Sequence, residues 1–178
     1  MIYFTSDLHL GHHNIIKMQQ RPFASTQEMN DILIANINQT VLPQDTLYIL
    51  GDISHRLNTT EAEALVKRIH CHKVLIWGNH DKHTLDPHLF HHMDNYEELY
   101  VRYNGRKYLF VLSHYPFEHW NKEEGGSIHL HGHCHGHHDY NLKQLEAHRL
   151  RYDVGVDANE YKPVSLADII AFFDLNER

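Results

Sequence analysis

The chain has 178 residues, is 42% hydrophobic and carries a formal charge of −7 with neutral histidine. We predict one domain over residues 1–178, because this length is enough to bury a substantial core. An acidic chain lacks the basic face that duplex DNA requires, and no apolar run approaches the ~20 residues of a membrane span, so neither partner is expected. The sequence shows no signal peptide, and two cysteines make no disulfide framework, so the expected location is cytoplasmic.

The first half of the chain alternates predicted strands and helices. Three short apolar runs predict buried strands, over residues 2–6, 46–50 and 73–77. A capping box that starts at Ser25 predicts one helix, and a cap at Thr59 or Thr60 predicts a second helix through His70. This β-α-β-α-β order is typical of an open α/β sheet, in which polar motifs follow the carboxyl ends of the strands.

The second half is predicted to consist mainly of strands. Asn104-Gly105 is a strong hairpin signal between strands at residues 96–103 and 106–113. Two further strands are predicted, over residues 128–130 and 151–156. Ser165 is predicted to cap a last helix that continues through Phe173. Two facing sheets covered by helices fit this order of elements.

Five short runs of possible metal ligands follow these apolar segments. They are Asp7-Leu8-His9, Gly51-Asp52, Gly78-Asn79-His80-Asp81, Ser113-His114 and Gly132-His133-Cys134-His135. Carboxylate oxygens and neutral imidazoles suit manganese, iron, zinc, cobalt or nickel. In Asp7-x-His9 and His133-x-His135, an extended chain would place both side chains on one face. The five runs together predict a site for two divalent metals and one proton-transfer group.

The same motifs, in this order, resemble the pattern of the calcineurin-like metallophosphoesterases. The resemblance covers residues 7–135 without replacement of a ligand, and Asp-Leu-His-Leu-Gly-His and Val-Gly-Val-Asp-Ala-Asn look like a compact bacterial and phage branch of that family. It implies an α/β fold, a four-layer α/β/β/α sandwich with two facing mixed sheets. It also implies two divalent metal ions as cofactors, with manganese favoured and iron, zinc, nickel or cobalt as alternatives.

The resemblance also implies roles for individual residues. Asp52 would bridge the two metals. The first metal would be completed by Asp7, His9 and His135, and the second by Asn79, His114 and His133. A hydroxide between the metals would attack phosphorus, and His80 would act as the general acid.

Other positions keep two interpretations each. Arg56 matches by count a phosphate-binding arginine and is otherwise a solvated side chain, and His12 could contact substrate from the first loop. Asp81 either orients His80 or packs beneath it. Asp157 and Asn159 either hold ligand imidazoles or form a surface turn.

The predicted function is hydrolysis of a phosphoester by a dinuclear metal centre. The short chain has no long insertion to cap the site, which favours a phosphodiesterase acting on a small phosphoester such as a nucleotide or an RNA end. Tyr115 and Trp120 could stack on a base or belong to the core. The alternatives are a phosphomonoesterase, a catalytically silent metal-binding scaffold, and a metal-buffering protein suggested by the 20 histidines.

Overall fold

A computed structural model describes residues 1–81, 84–137 and 139–173 of the chain. Two short 3-10 helices lie at Pro87–Leu89 and Glu123–Gly125. The strands and α-helices follow in the order β1 (Ile2–Thr5), α1 (His13–Met18), α2 (Thr26–Thr40), β2 (Thr46–Ile49), α3 (Thr59–Val66), β3 (His72–Ile76), β4 (His92–Asp94), β5 (Tyr96–Tyr103), β6 (Arg106–Ser113), β7 (Ile128–His131), α4 (Asp139–Glu146), β8 (Arg151–Asp153), β9 (Val164–Ser165) and α5 (Leu166–Phe172).

The strands form two mixed sheets, as predicted. The first has the order β4-β3-β2-β1-β9, with β1 to β4 parallel and β9 antiparallel to β1. The second has the order β5-β6-β7-β8, in which β5 and β6 form an antiparallel hairpin and β6, β7 and β8 run parallel. The two turn residues of the hairpin, Asn104 and Gly105, both have positive φ, as a type I′ turn requires.

Alternation along the strands of the first sheet separates two hydrophobic clusters. Tyr3, Leu47 and Leu75 face a cluster that includes Met29 and Leu33 of α2. The neighbouring strand residues face the other way, into a second cluster: Phe4, Tyr48, Val74 and Ile76. The second sheet contributes Phe110, Leu112, Ile128 and Leu130 to the same cluster. The outer face of the second sheet buries Val111 and Trp120 in a smaller cluster. The fold is therefore the predicted layered α/β sandwich.

Several element boundaries differ from the predictions. The second predicted helix begins after Asn58 rather than after Thr59 or Thr60, because the Asn58 side chain and Glu61 form the capping box, and the helix ends at Val66. The last predicted strand ends at Asp153 instead of residue 156. The short elements α1, β4, α4 and β9 were not predicted, since their residues are mostly polar or too few to show a period. None of the helices in the described part of the chain has the length and apolar character of a membrane span.

Candidate metal centre

The five predicted motifs meet at one end of the sandwich. Each follows the carboxyl end of a parallel strand: β1, β2 and β3 in the first sheet, and β6 and β7 in the second. The two sheets are joined at this end by a bridge between Ser6 and Gly155. Within the second sheet, Gly132 N donates a hydrogen bond to His114 O at 3.0 Å, which joins the loops after β6 and β7. Side chains from both sheets therefore converge on one site.

The backbone of the ligand motifs is left-handed rather than extended. Positive φ is found at five of the predicted ligands: Asp7 (55°), His9 (51°), Asp52 (54°), His133 (67°) and His135 (47°). The prediction that an extended chain places Asp7 with His9, and His133 with His135, on one face is therefore wrong. Such a conformation costs roughly 1–2 kcal/mol for each non-glycine residue and persists only where the surroundings hold it.

Arg21 holds the first motif in this conformation. Its Nη1 donates to Leu8 O at 3.0 Å and its Nη2 donates to Asp7 O at 2.8 Å. Its Nε and Nη2 also bind both carboxylate oxygens of Asp157, each at 2.8 Å. The guanidinium is fully buried. Arg21 lies outside every motif, and no local pattern in the sequence indicates this role.

A first group of donor atoms comes from four side chains. His9 Nε2 lies 3.9 Å from Asp7 Oδ1 and 3.5 Å from Asp52 Oδ2. His135 Nε2 lies 3.8 Å from the same Asp7 oxygen. Adjacent and opposite ligands of a six-coordinate ion with bonds of about 2.1 Å lie about 3.0 and 4.2 Å apart, so these separations suit one cation.

Two atoms of the first group are buried without a hydrogen-bond partner among the described residues. They are Asp7 Oδ1 and His9 Nε2. Buried polar atoms are nearly always satisfied, and a bound metal ion would satisfy both. Burial raises the pKa of Asp7 to about 8. The donor set therefore fits a divalent ion, which would hold Asp7 in its ionised form.

Asp157 orients His135, as one of its two interpretations predicts. Its Oδ2 lies 2.8 Å from His135 Nδ1, which leaves Nε2 directed at Asp7. Burial opposes a charge on His135, but the hydrogen bond to Asp157 and the charge of Asp7 leave its pKa raised. Asn159 instead donates to the carbonyls of Asp153 and Gly155 and does not hold an imidazole.

A second group of donors lies on the other side of Asp52. Asn79 Oδ1 lies 3.0 Å from His114 Nε2 and 2.9 Å from His133 Nδ1, and the two imidazole nitrogens are 3.3 Å apart. His114 Nδ1 must carry the proton, because it is 2.8 Å from the carbonyl oxygen of Leu50. Its Nε2 therefore offers a lone pair. Three donor atoms at about the 3.0 Å edge of an octahedral site fit a second cation.

Asp52 lies between the two groups. Its Oδ2 is 3.5 Å from His9 Nε2 and 3.6 Å from His114 Nε2. Its Oδ1 accepts a hydrogen bond from His80 N at 2.8 Å. One carboxylate is thus within reach of both donor groups, and the seven predicted ligands all lie at the site.

Asp81 packs beneath the site and joins two of its loops. Its Oδ2 accepts hydrogen bonds from Asp52 N and Gly78 N, and its Oδ1 accepts one from Ile53 N, each at 2.8 Å. These contacts decide between the two interpretations of Asp81: the carboxylate positions the loop that carries Asp52 rather than the His80 ring.

Two glycines allow the close approach of these loops. Gly51 has a φ of +92°, and a Cβ there would lie 2.7 Å from Gly78 Cα. A Cβ at Gly132 would lie 2.7 Å from Ser6 Cβ. Real Cβ atoms do not approach so closely. A side chain at Gly51 would push apart the loops after β2 and β3, and a side chain at Gly132 would push apart the two sheets.

The remaining predicted residues surround the two groups. His80 is exposed, with its ring centroid 5.4 Å from that of His9. Arg56 is exposed and close enough for its charge to lower the pKa of His12. His12 is only 7% exposed and turns its Nδ1 towards His9 Nδ1, at 3.3 Å, instead of towards solvent. Tyr115 is 46% exposed beside His133, whereas Trp120 is buried on the outer face of the second sheet.

Sequence reasoning missed Asp153 and His55 as well as Arg21. Asp153 is fully buried and accepts hydrogen bonds from Gly155 N at 2.7 Å and Gly136 N at 2.9 Å. Burial raises its pKa to about 6. It thereby holds the chain that follows His135. His55 lies against His12, with ring centroids 3.9 Å apart.

These features define the class of protein: a two-sheet α/β sandwich that gathers histidines and aspartates at the carboxyl ends of its strands. No protein-family model matches the chain. It is 35% identical over 176 residues to an uncharacterized protein of Methanocaldococcus jannaschii, with 97% of this chain and 91% of that protein covered. It is 32% identical over 184 residues to the gene 66 protein of Mycobacterium phage L5, with 88% and 86% covered.

The chain therefore belongs to the family of this archaeal protein and the phage gene 66 protein. A crystal structure of a protein of unknown function from Aquifex aeolicus has a similar fold, with a TM-score of 0.72 and 26% identity over 96% of this chain and 98% of that one. None of these three names states an activity. The relatives define the family and the fold, and only the residues of the site indicate a chemistry.

Proposed function

We propose that this protein is a metal-dependent phosphoesterase that hydrolyses phosphodiesters at the Asp52 centre. The observation that carries the proposal is the position of Asp52 Oδ2, which lies 3.5 Å from His9 Nε2 in one donor group and 3.6 Å from His114 Nε2 in the other. Two metals that share a carboxylate, roughly 3.5–4 Å apart, are the arrangement used by many phosphatases and nucleases. The similarity of the five motifs to the calcineurin-like metallophosphoesterases supports the same class.

Each donor group matches the requirements of a divalent ion. The first would use Asp7, His9 and His135 with Asp52, and the second would use Asn79, His114 and His133 with Asp52. When bound, the two ions would neutralise the phosphate oxygens and lower the pKa of a water so that hydroxide exists at neutral pH. Mixed oxygen and nitrogen donors suit manganese, with iron, zinc, nickel and cobalt as alternatives.

His80 is the candidate general acid. Its ring is exposed beside the first group, and its backbone N is anchored to Asp52 Oδ1 at 2.8 Å. Hydrolysis forms a bond from a water oxygen to phosphorus and breaks the bond from phosphorus to the leaving oxygen. That oxygen takes a proton from His80, and the proton of the attacking water restores the imidazolium. General acid catalysis of this kind contributes about 10²–10⁴ in rate.

Two exposed residues support a nucleotide-like substrate. Tyr115 packs its ring against His114 and His133, with centroids 5.1 and 4.7 Å away, and 46% of it is exposed, so a base could stack on it. Arg56 lies beside His12 and His55, near the first donor group, where it could bind a phosphate oxygen. These contacts favour a diester that carries an aromatic group.

The test is hydrolysis of an aryl phosphodiester and the matching monoester by protein that is stripped with a chelator and reloaded with manganese. We expect turnover of the diester, a loss of about 10²-fold or more in His80→Ala, and little activity in Asp52→Asn. His70→Ala changes an exposed imidazole away from the site and serves as the control. Preference for the monoester would make the protein a phosphatase. Absence of turnover with two ions bound would favour a silent scaffold.

The Tyr115 contact can be tested separately. Tyr115→Ala should raise KM for the aryl diester about 5- to 150-fold, because stacking on one aromatic ring contributes about 1–3 kcal/mol, while kcat changes little. Tyr100→Ala, which removes another exposed tyrosine on β5, is the matched control. Equal KM values in the two variants would remove Tyr115 from the substrate site.

A further inference from the structure

A cluster of imidazoles lies beside the first donor group and extends beyond the seven predicted ligands. His12 follows the first motif, and His55 lies in the loop between β2 and α3. The two loops are joined by the hydrogen bond from His55 N to Leu10 O, at 3.0 Å. Ring centroids are 3.9 Å apart for His12 and His55, 5.3 Å for His9 and His12, and 5.9 Å for His9 and His55. No motif of the sequence accounts for this convergence.

The nitrogen atoms of the cluster have the spacing of metal ligands. One ring nitrogen from each of His9, His12 and His55 lies within 4.8 Å of those of the other two. His9 Nδ1 and His12 Nδ1 are 3.3 Å apart. Two nitrogens bound at about 2.0–2.1 Å to one tetrahedral zinc ion are about 3.3 Å apart. The His9 and His12 nitrogens thus have the spacing of two ligands of a tetrahedral ion, and a His55 nitrogen lies close enough to join them.

A buried imidazole nitrogen supports the same conclusion. Among the described residues, His55 Nδ1 is buried and has no hydrogen-bond partner, although the ring as a whole is only partly buried. A bound metal ion would satisfy this nitrogen, because its lone pair is available when the ring proton is on Nε2.

We propose that His9, His12 and His55 form a further metal position, for one cation that prefers imidazole: Zn²⁺, Co²⁺, Ni²⁺ or Cu²⁺. His9 can take part in both positions, because its Nε2 faces Asp7 and Asp52 whereas its Nδ1 faces His12. If both nitrogens bind a metal, the ring proton of His9 passes to solvent.

The two kinds of site should differ in the metal that they select. Three imidazoles without a carboxylate disfavour Mn²⁺ and Mg²⁺, which prefer oxygen, and favour borderline transition metals. The positive charge of Arg56 opposes a cation here, but this guanidinium is exposed and water screens it. The position does not depend on phosphoesterase activity.

The experiment compares metal content after loading with one ion at a time. Protein stripped with a chelator is saturated with Mn²⁺ or with Zn²⁺ and then desalted into a buffer that contains a weak chelator. The metal content per chain is measured by inductively coupled plasma mass spectrometry. We expect the wild type to retain one more equivalent of zinc than of manganese. His55→Ala and His55→Gln should lose that equivalent and keep the manganese content. His13→Ala removes an exposed imidazole at the first residue of α1 and should retain the additional zinc.

The possible results separate this position from the proposed active site. Equal zinc contents in the wild type and both His55 variants, with native circular dichroism, would overturn the proposal. It would also be overturned if His12→Ala lost zinc and manganese together while the His55 variants lost neither, since His12 would then only accept a hydrogen bond from His9. Asp52→Asn should lower the manganese content and leave the zinc equivalent that depends on His55. If the wild type bound the zinc equivalent that depends on His55 but did not bind two manganese ions, the result would count against the proposed phosphoesterase and not against this metal position.

Discussion

Asp7 is the residue at which burial and the proposed metal binding are most strongly linked. Its carboxylate is fully buried, Oδ2 accepts a hydrogen bond from His133 N at 2.9 Å, and Oδ1 has no hydrogen-bond partner among the described residues. Burial raises its pKa to about 8 from an ordinary value of 3.8. Without a metal, the folded protein therefore holds this carboxyl in its protonated form at neutral pH.

This link predicts the pH dependence of the metal-free protein. Because the folded state binds the Asp7 proton more tightly than the unfolded state, the contribution of Asp7 to stability is fully present below about pH 4 and is lost as the pH rises to about 8. The loss is of the order of 5 kcal/mol. Urea unfolding of the wild type and Asp7→Asn, with chelator, between pH 5 and 8 measures it. The variant should lack this slope, and parallel curves would contradict the prediction.

Arg21 stabilises the strained first motif through buried contacts. Removal of one partner from a buried ion pair costs about 3–5 kcal/mol, because the other charge is left without compensation. Arg21→Met should therefore lower the free energy of unfolding by about that amount, since Asp157 would lose both of its hydrogen bonds to the guanidinium. Arg68→Met, which breaks an exposed pair with Asp31, should cost less than about 1 kcal/mol. Similar losses in the two variants would show that burial of the Arg21 pair does not matter.

At the scale of elements, the site depends on loops that are held together by side chains. The loops after β2 and β3 meet through Asp81, which accepts three backbone hydrogen bonds from Asp52, Ile53 and Gly78. The carboxylate is buried, and each hydrogen bond fixes the position of one backbone N–H group. The geometry of the Asp52 loop thus depends on a residue that is not itself a predicted ligand.

Asp81→Asn should weaken this connection without a change in size. An amide nitrogen cannot accept a hydrogen bond, so at least one backbone N–H would lose its partner, at a cost of about 1–3 kcal/mol. Because the loop carries Asp52, manganese affinity should fall about 10- to 100-fold. Calorimetric titration with Mn²⁺ and thermal unfolding measure the two effects. Asp31→Asn, at an exposed position, is the control, and unchanged affinity in Asp81→Asn would show that the loop keeps its position without it.

Elements with strong local signals were predicted well. The hairpin was confirmed at residues 96–103 and 106–113, because Asn104-Gly105 selects its own turn and alternation selects the register. The strands β4 and β9 and the helices α1 and α4 were missed, since they are short and form only against neighbours. The left-handed backbone at Asp7 and His9 was also missed, because it is imposed by Arg21 and the neighbouring loops rather than by local preference.

At the scale of the whole molecule, the donor groups join the two sheets. Asp7, His9, Asp52 and Asn79 come from the first sheet, whereas His114, His133 and His135 come from the second. A cation bound to both sets would therefore link the halves of the sandwich. In its absence, carboxylates and imidazole lone pairs face one another at this end of the fold.

Metal binding should consequently stabilise the whole fold. Two ions, each at about 100 times its Kd, would add about 5 kcal/mol, which corresponds to a rise in Tm of roughly 10 °C or more for a chain of this size. Differential scanning calorimetry with Mn²⁺ and with a chelator measures the shift, and it should be much smaller in Asp52→Asn. A wild-type Tm that does not respond to Mn²⁺, Zn²⁺ or Co²⁺ would argue against the paired donor groups.

The amino-acid sequence by itself determined the supply of candidate ligands, their order after the strands and the layered α/β architecture, since these follow from local patterns of apolar and polar residues. Tertiary structure alone decided the contacts between distant residues. Arg21 reaches Asp157 across 136 positions, His133 meets Asp7 across 126, and His12 turns towards His9 and His55. Such contacts depend on how two sheets pack and which buried charges need partners, and neither quantity is encoded within one segment of the chain.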